Sequence, residues 1–335
     1  TDQNRFVEGA MDVIYRTLSI CGLNYDEGPD KDMGNGPYIQ SQRKDIYIKY
    51  AKKLVELGHA YYCFCSKERL DELRADLEAK GLPYEYDGHC KNLSPEEIQK
   101  KLDAGEPYVI RQIMPHEGVS EYDDAVYGKI TIENSTLEEQ ILLKSDGLPT
   151  YNFANVVDDH LMGVTHVVRG NEYITSTPKY NLLYDAFGWE RPCYIHLPLI
   201  TKEGGKKLSK REGDASYEDF INKGYLKDAI INYIALLGWS PGGDKEIFTM
   251  DELIENFSID GISKSPAVFD EKKLSWLNGE YIRRLSPEAF YDMAKPWLDK
   301  GIHSDSIDRR AVAALLQPRC ELLSEIPEQV DFLDR

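Results

Sequence analysis

VTHVVRG, residues 164–170, is followed by STPKYNLLYDAFG, residues 176–188, and by CYIHLPLI, residues 193–200. The first and third segments are apolar runs of strand length, whereas the second begins with Ser176, Thr177 and an early proline, as helices do. A strand–helix–strand unit with two apolar strands predicts a parallel sheet that helices cover on both faces. The expected fold class is therefore α/β.

The flanking segments extend this pattern. Helices are predicted over residues 4–20 and 42–57, and a helical pattern dominates from residue 217 onward. Residues 60–150 differ, because short strands alternate there with helices whose starts carry capping residues, which predicts a self-contained α+β insertion. The apolar face of the opening helix consists of Val7, Met11, Ile14 and Leu18. The two capping signals are Ser66 and SPEE at 94–97.

Composition limits the class of protein. With 335 residues, 41% hydrophobic and 29% charged, the chain can form two or three domains with large cores. A formal charge of −18 argues against a protein that coats nucleic acid, although KEGGKKLSKR, residues 202–211, is locally basic. The absence of a long apolar run, of a secretory signal and of a disulfide framework predicts a cytoplasmic protein without a membrane span.

The basic segment continues as KKLSKREG, residues 206–213, after an apolar strand and a Gly-Gly pair. Two lysines three residues apart on a glycine-flanked loop can close over a triphosphate and neutralise charge that develops during phosphoryl or adenylyl transfer. The alternative interpretation is an ordinary solvated basic loop.

KLSKR, residues 207–211, resembles the second signature loop of class I aminoacyl-tRNA synthetases, in the form of the bacterial-type glutamyl-tRNA synthetases. Residues 148–189 look like the catalytic-core block of that family, and residues 1–30 and 265–283 are similar to two further family segments. The resemblance implies a Rossmann-like catalytic core with an α+β acceptor-binding insertion, followed by a mostly helical stem-contact region.

The resemblance also implies a division into domains and an incomplete chain. The His-Ile-Gly-His-type signature of class I enzymes is absent from the 335 residues. We therefore expect the family's segment ahead of Thr1-Asp2 to be missing, the chain to stop within the anticodon-binding region, and this chain alone to be inactive. The expected parts are the first half of the core (1–59), the insertion (60–150), the second half (151–200), the KLSKR loop with the stem-contact domain (201–285), and the start of the helical anticodon-binding region (286–335).

Site residues follow from the resemblance, position by position. The expected glutamate-binding residues are Tyr151, Asn155 and Arg169. The expected ATP-binding residues are Glu172, Tyr173, Leu199, Ile200, Lys207 and Lys210, of which Lys207 and Lys210 are also catalytic. Taken singly, Tyr151 and Asn155 would be packing or capping residues and Arg169 a surface ion pair. The run Asp158-Asp159-His160 could form a metal or catalytic cluster, but we interpret it as helix-end structure.

Cys63, Cys65 and Cys90 form a cluster in the predicted insertion. A structural zinc site needs four donors, and only three cysteines are present. The resemblance implies zinc with a tyrosine or histidine as the fourth ligand. Tyr86 is the first choice and His89 the second. The alternative is three reduced thiols without a metal.

The resemblance implies a glutamate–tRNA ligase that uses ATP with Mg²⁺, L-glutamate and tRNA(Glu), most simply as a monomer. Two alternatives stay open. One is a related enzyme that attaches glutamate to a modified base of tRNA(Asp). The other is a non-catalytic tRNA-binding fragment, because the histidine signature is absent.

Overall fold

The computed structural model describes residues 7–202, 204–205 and 216–334. The strands in these residues are β1 (Ala60–Cys63), β2 (Val109–Gln112), β3 (Val119–Asp124), β4 (Gly128–Glu133), β5 (Ile141–Leu143), β6 (His166–Gly170), β7 (Cys193–Leu197), β8 (Ile200–Thr201) and β9 (Ala267–Val268). The helices are α1 (Ala10–Cys21), α2 (Lys44–Glu56), α3 (Lys67–Ala79), α4 (Pro95–Asp103), α5 (Tyr151–Leu161), α6 (Thr177–Phe187), α7 (Tyr217–Asn222), α8 (Lys227–Gly238), α9 (Met250–Asn256), α10 (Glu271–Arg284), α11 (Pro287–Gly301), α12 (Arg309–Leu316) and α13 (Ile326–Val330). Among the described helices, none has the length and apolar character that crossing a membrane requires.

The chain divides into two compact units. The first contains Tyr25–His196, and the second contains Gly9–Asn24 and the described part of Leu197–Arg335. In the first unit, an antiparallel sheet has the order β1-β2-β5, and a second sheet has the order β4-β3-β7-β6. Strands β3 and β4 form an antiparallel hairpin, whereas β3 runs parallel to β7, with Asp124 opposite Tyr194.

The main core of the first unit lies between α2, α5, α6 and the β1-β2-β5 sheet. Its largest fully buried side chains are Tyr47, Phe153 and Tyr180. Burying an aromatic side chain removes a large apolar area from water, so these rings fix α5 and α6 firmly. The candidate glutamate-binding residues lie on and between these two helices.

The second unit is mostly helical, as the sequence predicts from residue 217 onward. One core forms around Phe290 and Leu298 of α11 and includes residues of α12 and α13, and another forms around Leu277 of α10. A two-stranded parallel sheet joins β8 to β9, with Ile200 opposite Ala267.

The prediction of a self-contained insertion over 60–150 was wrong in one respect. Its hairpin β3–β4 shares a sheet with β7, which comes from the following block. Strand β3 itself was not predicted, because VSEYDD alternates weakly in polarity and half of its residues are acidic. The domain boundaries drawn from the resemblance stay predictions.

Two expectations about the apolar strands were also wrong. CYIHLPLI is not one strand: β7 ends at Leu197, and β8 begins after Pro198 in a different sheet. Proline lacks the N–H that a ladder requires, which explains the break. Strand β6 is not buried on both faces, since none of its residues is fully buried and Val168 is 56% exposed.

Helix starts were predicted well. Ser66 caps α3 by accepting from the Arg69 N–H, and Ser94 and Glu97 form the capping box of α4. Helix α6 begins at Thr177 as predicted, but neither Ser176 nor Thr177 caps it through its side chain. The Thr177 hydroxyl donates instead to the Tyr173 carbonyl, at 2.9 Å.

The opening helix differs from its prediction. Helix α1 begins at Ala10, one residue after Gly9, whose φ of 75° a side chain would strain. The part of the prediction before residue 7 lies outside the described residues. The apolar side chains expected to face a core are largely exposed, with Met11 at 46% and Ile14 at 56%.

Candidate active site

Helix α5 presents two of the predicted glutamate-binding residues. Tyr151 is its first residue, and Asn155 follows one turn later, so the two side chains lie on the same face. Tyr151 is 55% exposed. The Asn155 Oδ1 atom is buried and has no hydrogen-bond partner within the described structure. A buried acceptor without a donor is costly, and a ligand that brings one would relieve that cost.

Arg169 lies near the end of β6 and is surrounded by aromatic rings. Its guanidinium carbon is 4.7 Å from the Tyr180 ring centroid, 5.1 Å from that of Tyr173 and 5.7 Å from that of Tyr194. Ring faces attract cations, so the three tyrosines hold the guanidinium without neutralising its charge. Its Nε is buried and, in the part of the chain that the structure describes, lacks a hydrogen-bond acceptor. The surface ion pair considered as the alternative for Arg169 is not seen there.

Asp159 is a further charged group in this region. Burial raises the pKa of the Asp159 carboxyl to about 6, and the positive charge of Arg169 acts in the opposite direction. Its neighbour Asp158 accepts from Arg43 Nε at 2.8 Å and from the Tyr47 hydroxyl at 2.7 Å. Both carboxylates and His160 lie in the last turn of α5, which confirms the helix-end interpretation.

A chain of side-chain amides fixes the ring beneath Arg169. The Tyr180 hydroxyl donates to Asn152 Oδ1 at 2.8 Å, and Asn152 donates to Gln140 at 2.9 Å. Gln140 then donates to Gln112 at 2.7 Å. The sequence analysis missed these residues, because amides from three separate segments give no pattern along the chain.

The segment Asn171–Tyr173 forms a 3-10 turn that directly follows β6. The Tyr173 ring lies 5.8 Å from that of Tyr151, so Tyr151, Arg169 and Tyr173 form one group. Glu172 is exposed at the surface. The structure thus brings together predicted glutamate-binding and ATP-binding residues in the first unit.

The other predicted ATP-binding residues lie elsewhere in the chain. Leu199 and Ile200 belong to the second unit, where the Leu199 carbonyl accepts from the Ala267 N–H at 3.0 Å. Lys207 and Lys210 lie outside the described residues.

The three cysteines of the predicted zinc site come together in the first unit. The Sγ atoms of Cys63, Cys65 and Cys90 lie within 4.8 Å of one another, and those of Cys65 and Cys90 are 3.6 Å apart. The Tyr86 hydroxyl is 3.3 Å from both Cys63 Sγ and Cys65 Sγ. His89, the second choice for the fourth ligand, is exposed.

Two arginines provide positive charge around this cluster. Arg69 Nη1 is 3.6 Å from Cys65 Sγ, and the buried Arg111 lies 4.0 Å from the Tyr86 ring centroid. Burial alone would raise the pKa of Cys63, but hydrogen bonding by Tyr86 and the charge of Arg111 hold it below its usual value. Burial raises the pKa of Cys65 to about 11. The donor set fits a cation that prefers thiolates, such as zinc.

Comparisons with known proteins identify the family of the chain. The family model for tRNA synthetases class I (E and Q), catalytic domain, matches residues 1–276. A glutamate–tRNA ligase of Clostridium botulinum strain Hall is 61% identical over 334 residues, which cover 100% of this chain and 69% of that protein. The glutamate–tRNA ligase of Clostridium tetani is 59% identical over 334 residues, which cover 100% of this chain and 68% of that protein.

Solved structures give the same result. The crystal structure of a glutamate tRNA ligase from Elizabethkingia meningosepticum, in complex with its amino acid, matches with a TM-score of 0.90 at 36% identity. The match covers 99% of this chain and 71% of that one. The glutamate-tRNA synthetase of Elizabethkingia anophelis matches with a TM-score of 0.91 at 36% identity, covering 99% and 72%. The chain therefore belongs to the class I tRNA synthetases, as an α/β catalytic domain of the glutamate–tRNA ligase family.

Proposed function

We propose that the protein activates L-glutamate with ATP and transfers it to the 3′-terminal adenosine of tRNA(Glu). The α-carboxylate of glutamate attacks the α-phosphate in line and pyrophosphate leaves, which gives glutamyl-adenylate. The tRNA hydroxyl then attacks the carbonyl carbon of the adenylate and AMP leaves. Mg²⁺, when bound, would neutralise phosphate charge. This route needs no covalent enzyme intermediate, so positioning and electrostatics supply most of the acceleration.

The observation that carries this proposal is a buried donor and a buried acceptor that have no hydrogen-bond partner among residues 7–202, 204–205 and 216–334. Arg169 Nε can donate to a carboxylate, and Asn155 Oδ1 can accept from an ammonium group or from another donor. An amino acid brings both groups, and glutamate brings a second carboxylate. Tyr151 and Tyr173 then flank the ligand through their neighbouring rings.

Glu172 and Tyr173 are proposed to contact the adenosine. An adenine contact for the backbone of Leu199 and Ile200 rests on the family resemblance alone. Lys207 and Lys210 hold the phosphates and neutralise the charge that develops on them, Lys210 more directly. The catalytic role of both lysines rests on the family resemblance of KLSKR.

Exchange of labelled pyrophosphate into ATP tests this function on the complete gene product, with tRNA present. We expect exchange that depends on L-glutamate, and that L-aspartate and L-glutamine support at least about 100-fold less well. Equal exchange with the three amino acids, or exchange without any, would exclude the proposed glutamate site.

A structural zinc ion is proposed at Cys63, Cys65, Cys90 and Tyr86. Its support is the convergence of three thiols and one phenol from two separate chain segments, with positive charge from Arg69 and Arg111 nearby. When bound, zinc would hold these segments together and would take no part in the reaction. A monomeric state and a cytoplasmic location stay predictions from the sequence.

A further inference from the structure

The 3-10 turn at Asn171–Tyr173 and the residue after it accept hydrogen bonds from two buried side chains. These side chains have no role in the proposed chemistry. The Thr177 hydroxyl donates to the Tyr173 carbonyl, and the Tyr122 hydroxyl donates to the Ile174 carbonyl, both at 2.9 Å. Two consecutive carbonyls of one short segment are thus held by two separate side chains. Thr177 is fully buried and Tyr122 is 6% exposed.

A buried aspartate–histidine pair lies next to Thr177. His196 Nδ1 is 2.6 Å from Asp124 Oδ2, and both side chains are fully shielded from solvent. The other ring nitrogen, Nε2, is 3.5 Å from the Thr177 hydroxyl. The second carboxylate oxygen of Asp124 accepts from the backbone N–H groups of Val126 and Tyr127, so Asp124 is fully bonded.

The hairpin β3–β4 contributes a third contact to the same turn. Tyr127, in the hairpin's connection, lies with its hydroxyl 3.4 Å from Asn171 Nδ2. Tyr122, Asp124 and Tyr127 therefore come from one hairpin, and His196 and Thr177 come from β7 and α6. A threonine often bonds the carbonyl four residues earlier by local geometry alone, but Tyr122 reaches this segment across 52 residues.

We propose that Tyr122 and Thr177, the latter beside the Asp124–His196 pair, are positioning residues that set how Glu172 and Tyr173 meet the nucleotide. This inference rests on the proposed function, which places the adenosine at these two residues. The two side-chain hydrogen bonds fix the Tyr173 and Ile174 carbonyls before ATP binds. Loss of an anchor would weaken binding of ATP in the ground state and in the transition state alike.

Matched substitutions test the proposal in the complete gene product. Thr177→Val keeps the shape and removes the hydroxyl, Thr177→Ser keeps the hydroxyl, and Tyr122→Phe removes only its oxygen. Tyr225→Phe serves as the control, because it removes a comparable hydroxyl contact, 2.9 Å from Ser275 Oγ, in the second unit. Pyrophosphate exchange gives KM for ATP, KM for glutamate and kcat, and thermal melting reports folding.

We expect Thr177→Val and Tyr122→Phe to raise KM for ATP about 5- to 10-fold, the equivalent of one lost hydrogen bond. KM for glutamate and kcat should change less than about 2-fold, and Thr177→Ser and Tyr225→Phe should resemble the unsubstituted protein. An unchanged KM for ATP in both variants, or an equal rise in Tyr225→Phe, would refute the positioning role. If the unsubstituted protein shows no glutamate-dependent exchange, the proposed function fails, and ATP binding by equilibrium dialysis then tests the anchors with the same expected fold-change.

Discussion

Arg169 illustrates at the scale of one residue why a cation can remain available in a partly buried site. Three tyrosine rings surround its guanidinium between 4.7 and 5.7 Å, and they stabilise the charge without occupying its N–H groups. An ordinary ion pair would occupy them. The aromatic setting therefore leaves the planar donors of arginine free to meet a carboxylate.

Arg169→Lys should lower kcat/KM for glutamate about 10- to 100-fold, because lysine keeps the charge but loses the planar donor pair and the stacking. The effect should appear in KM for glutamate, measured by pyrophosphate exchange. Arg191→Lys is the matched control, since Arg191 pairs with Asp185 on the surface. Equal kinetics for the Arg169 variant and the control would remove Arg169 from the amino-acid site.

Lys210→Ala should lower the rate of adenylate formation by about 100-fold or more, because a charge that neutralises the phosphates in the transition state is lost. Affinity for free glutamate should change little. Lys80→Ala, which alters an exposed i,i+4 pair with Asp76, is the control. Near-normal exchange in the Lys210 variant would exclude the loop from the mechanism.

Asp159 should make stability depend on pH. Its pKa in the folded protein is about 6 against an ordinary value of 3.8, so folding favours the protonated form. The contribution of Asp159 to the free energy of unfolding is therefore fully present below about pH 4 and is lost as pH rises through 6. Asp159→Asn should abolish this loss, which amounts to at most about 3 kcal/mol. Urea denaturation between pH 4 and 7 measures it, and parallel pH curves for both proteins would contradict the assignment.

At the scale of elements, the local capping signals of α3 and α4 proved reliable, whereas the expected side-chain cap of α6 is not seen. The caps at Ser66 and Ser94 were predicted because a helix start uses residues three positions apart. Strand β3 and the division of CYIHLPLI depend on which strands pair, and pairing joins residues far apart in sequence. The amide chain from Gln112 to Tyr180 was missed for the same reason.

The cysteine cluster gives a prediction at this scale, because it joins the end of β1 to the segment before α4. We expect close to one zinc per chain by elemental analysis. Cys65→Ser should lose the metal and destabilise this region locally, with little effect on the main core of the first unit. Amide hydrogen exchange measures the local stability of the cysteine cluster and of the main core separately.

Cys193→Ser is the control for the metal prediction, since Cys193 is exposed and lies outside the cluster. It should keep its zinc. A purified protein without zinc, with three thiols that react freely and with normal stability, would favour the alternative of three reduced cysteines.

At the scale of the whole molecule, the family resemblance predicted more than the residue patterns did. The α/β class and the helical second unit followed from periodicity, whereas the glutamate-binding group depended on matching positions in a long block. No pattern in the sequence marks Tyr122, Asp124 or His196 as neighbours of the turn at Asn171–Tyr173. Their proximity arises only when β3 pairs with β7.

The most direct test of the function is transfer of labelled glutamate to purified tRNA by the complete gene product. We expect glutamate on tRNA(Glu), attached through the 3′-terminal ribose, so periodate oxidation of that ribose should abolish labelling. tRNA(Asp) should stay unlabelled. Labelling of tRNA(Asp) that survives periodate would instead indicate attachment to a base, and the absence of labelling on either tRNA would contradict the assignment as a glutamate–tRNA ligase.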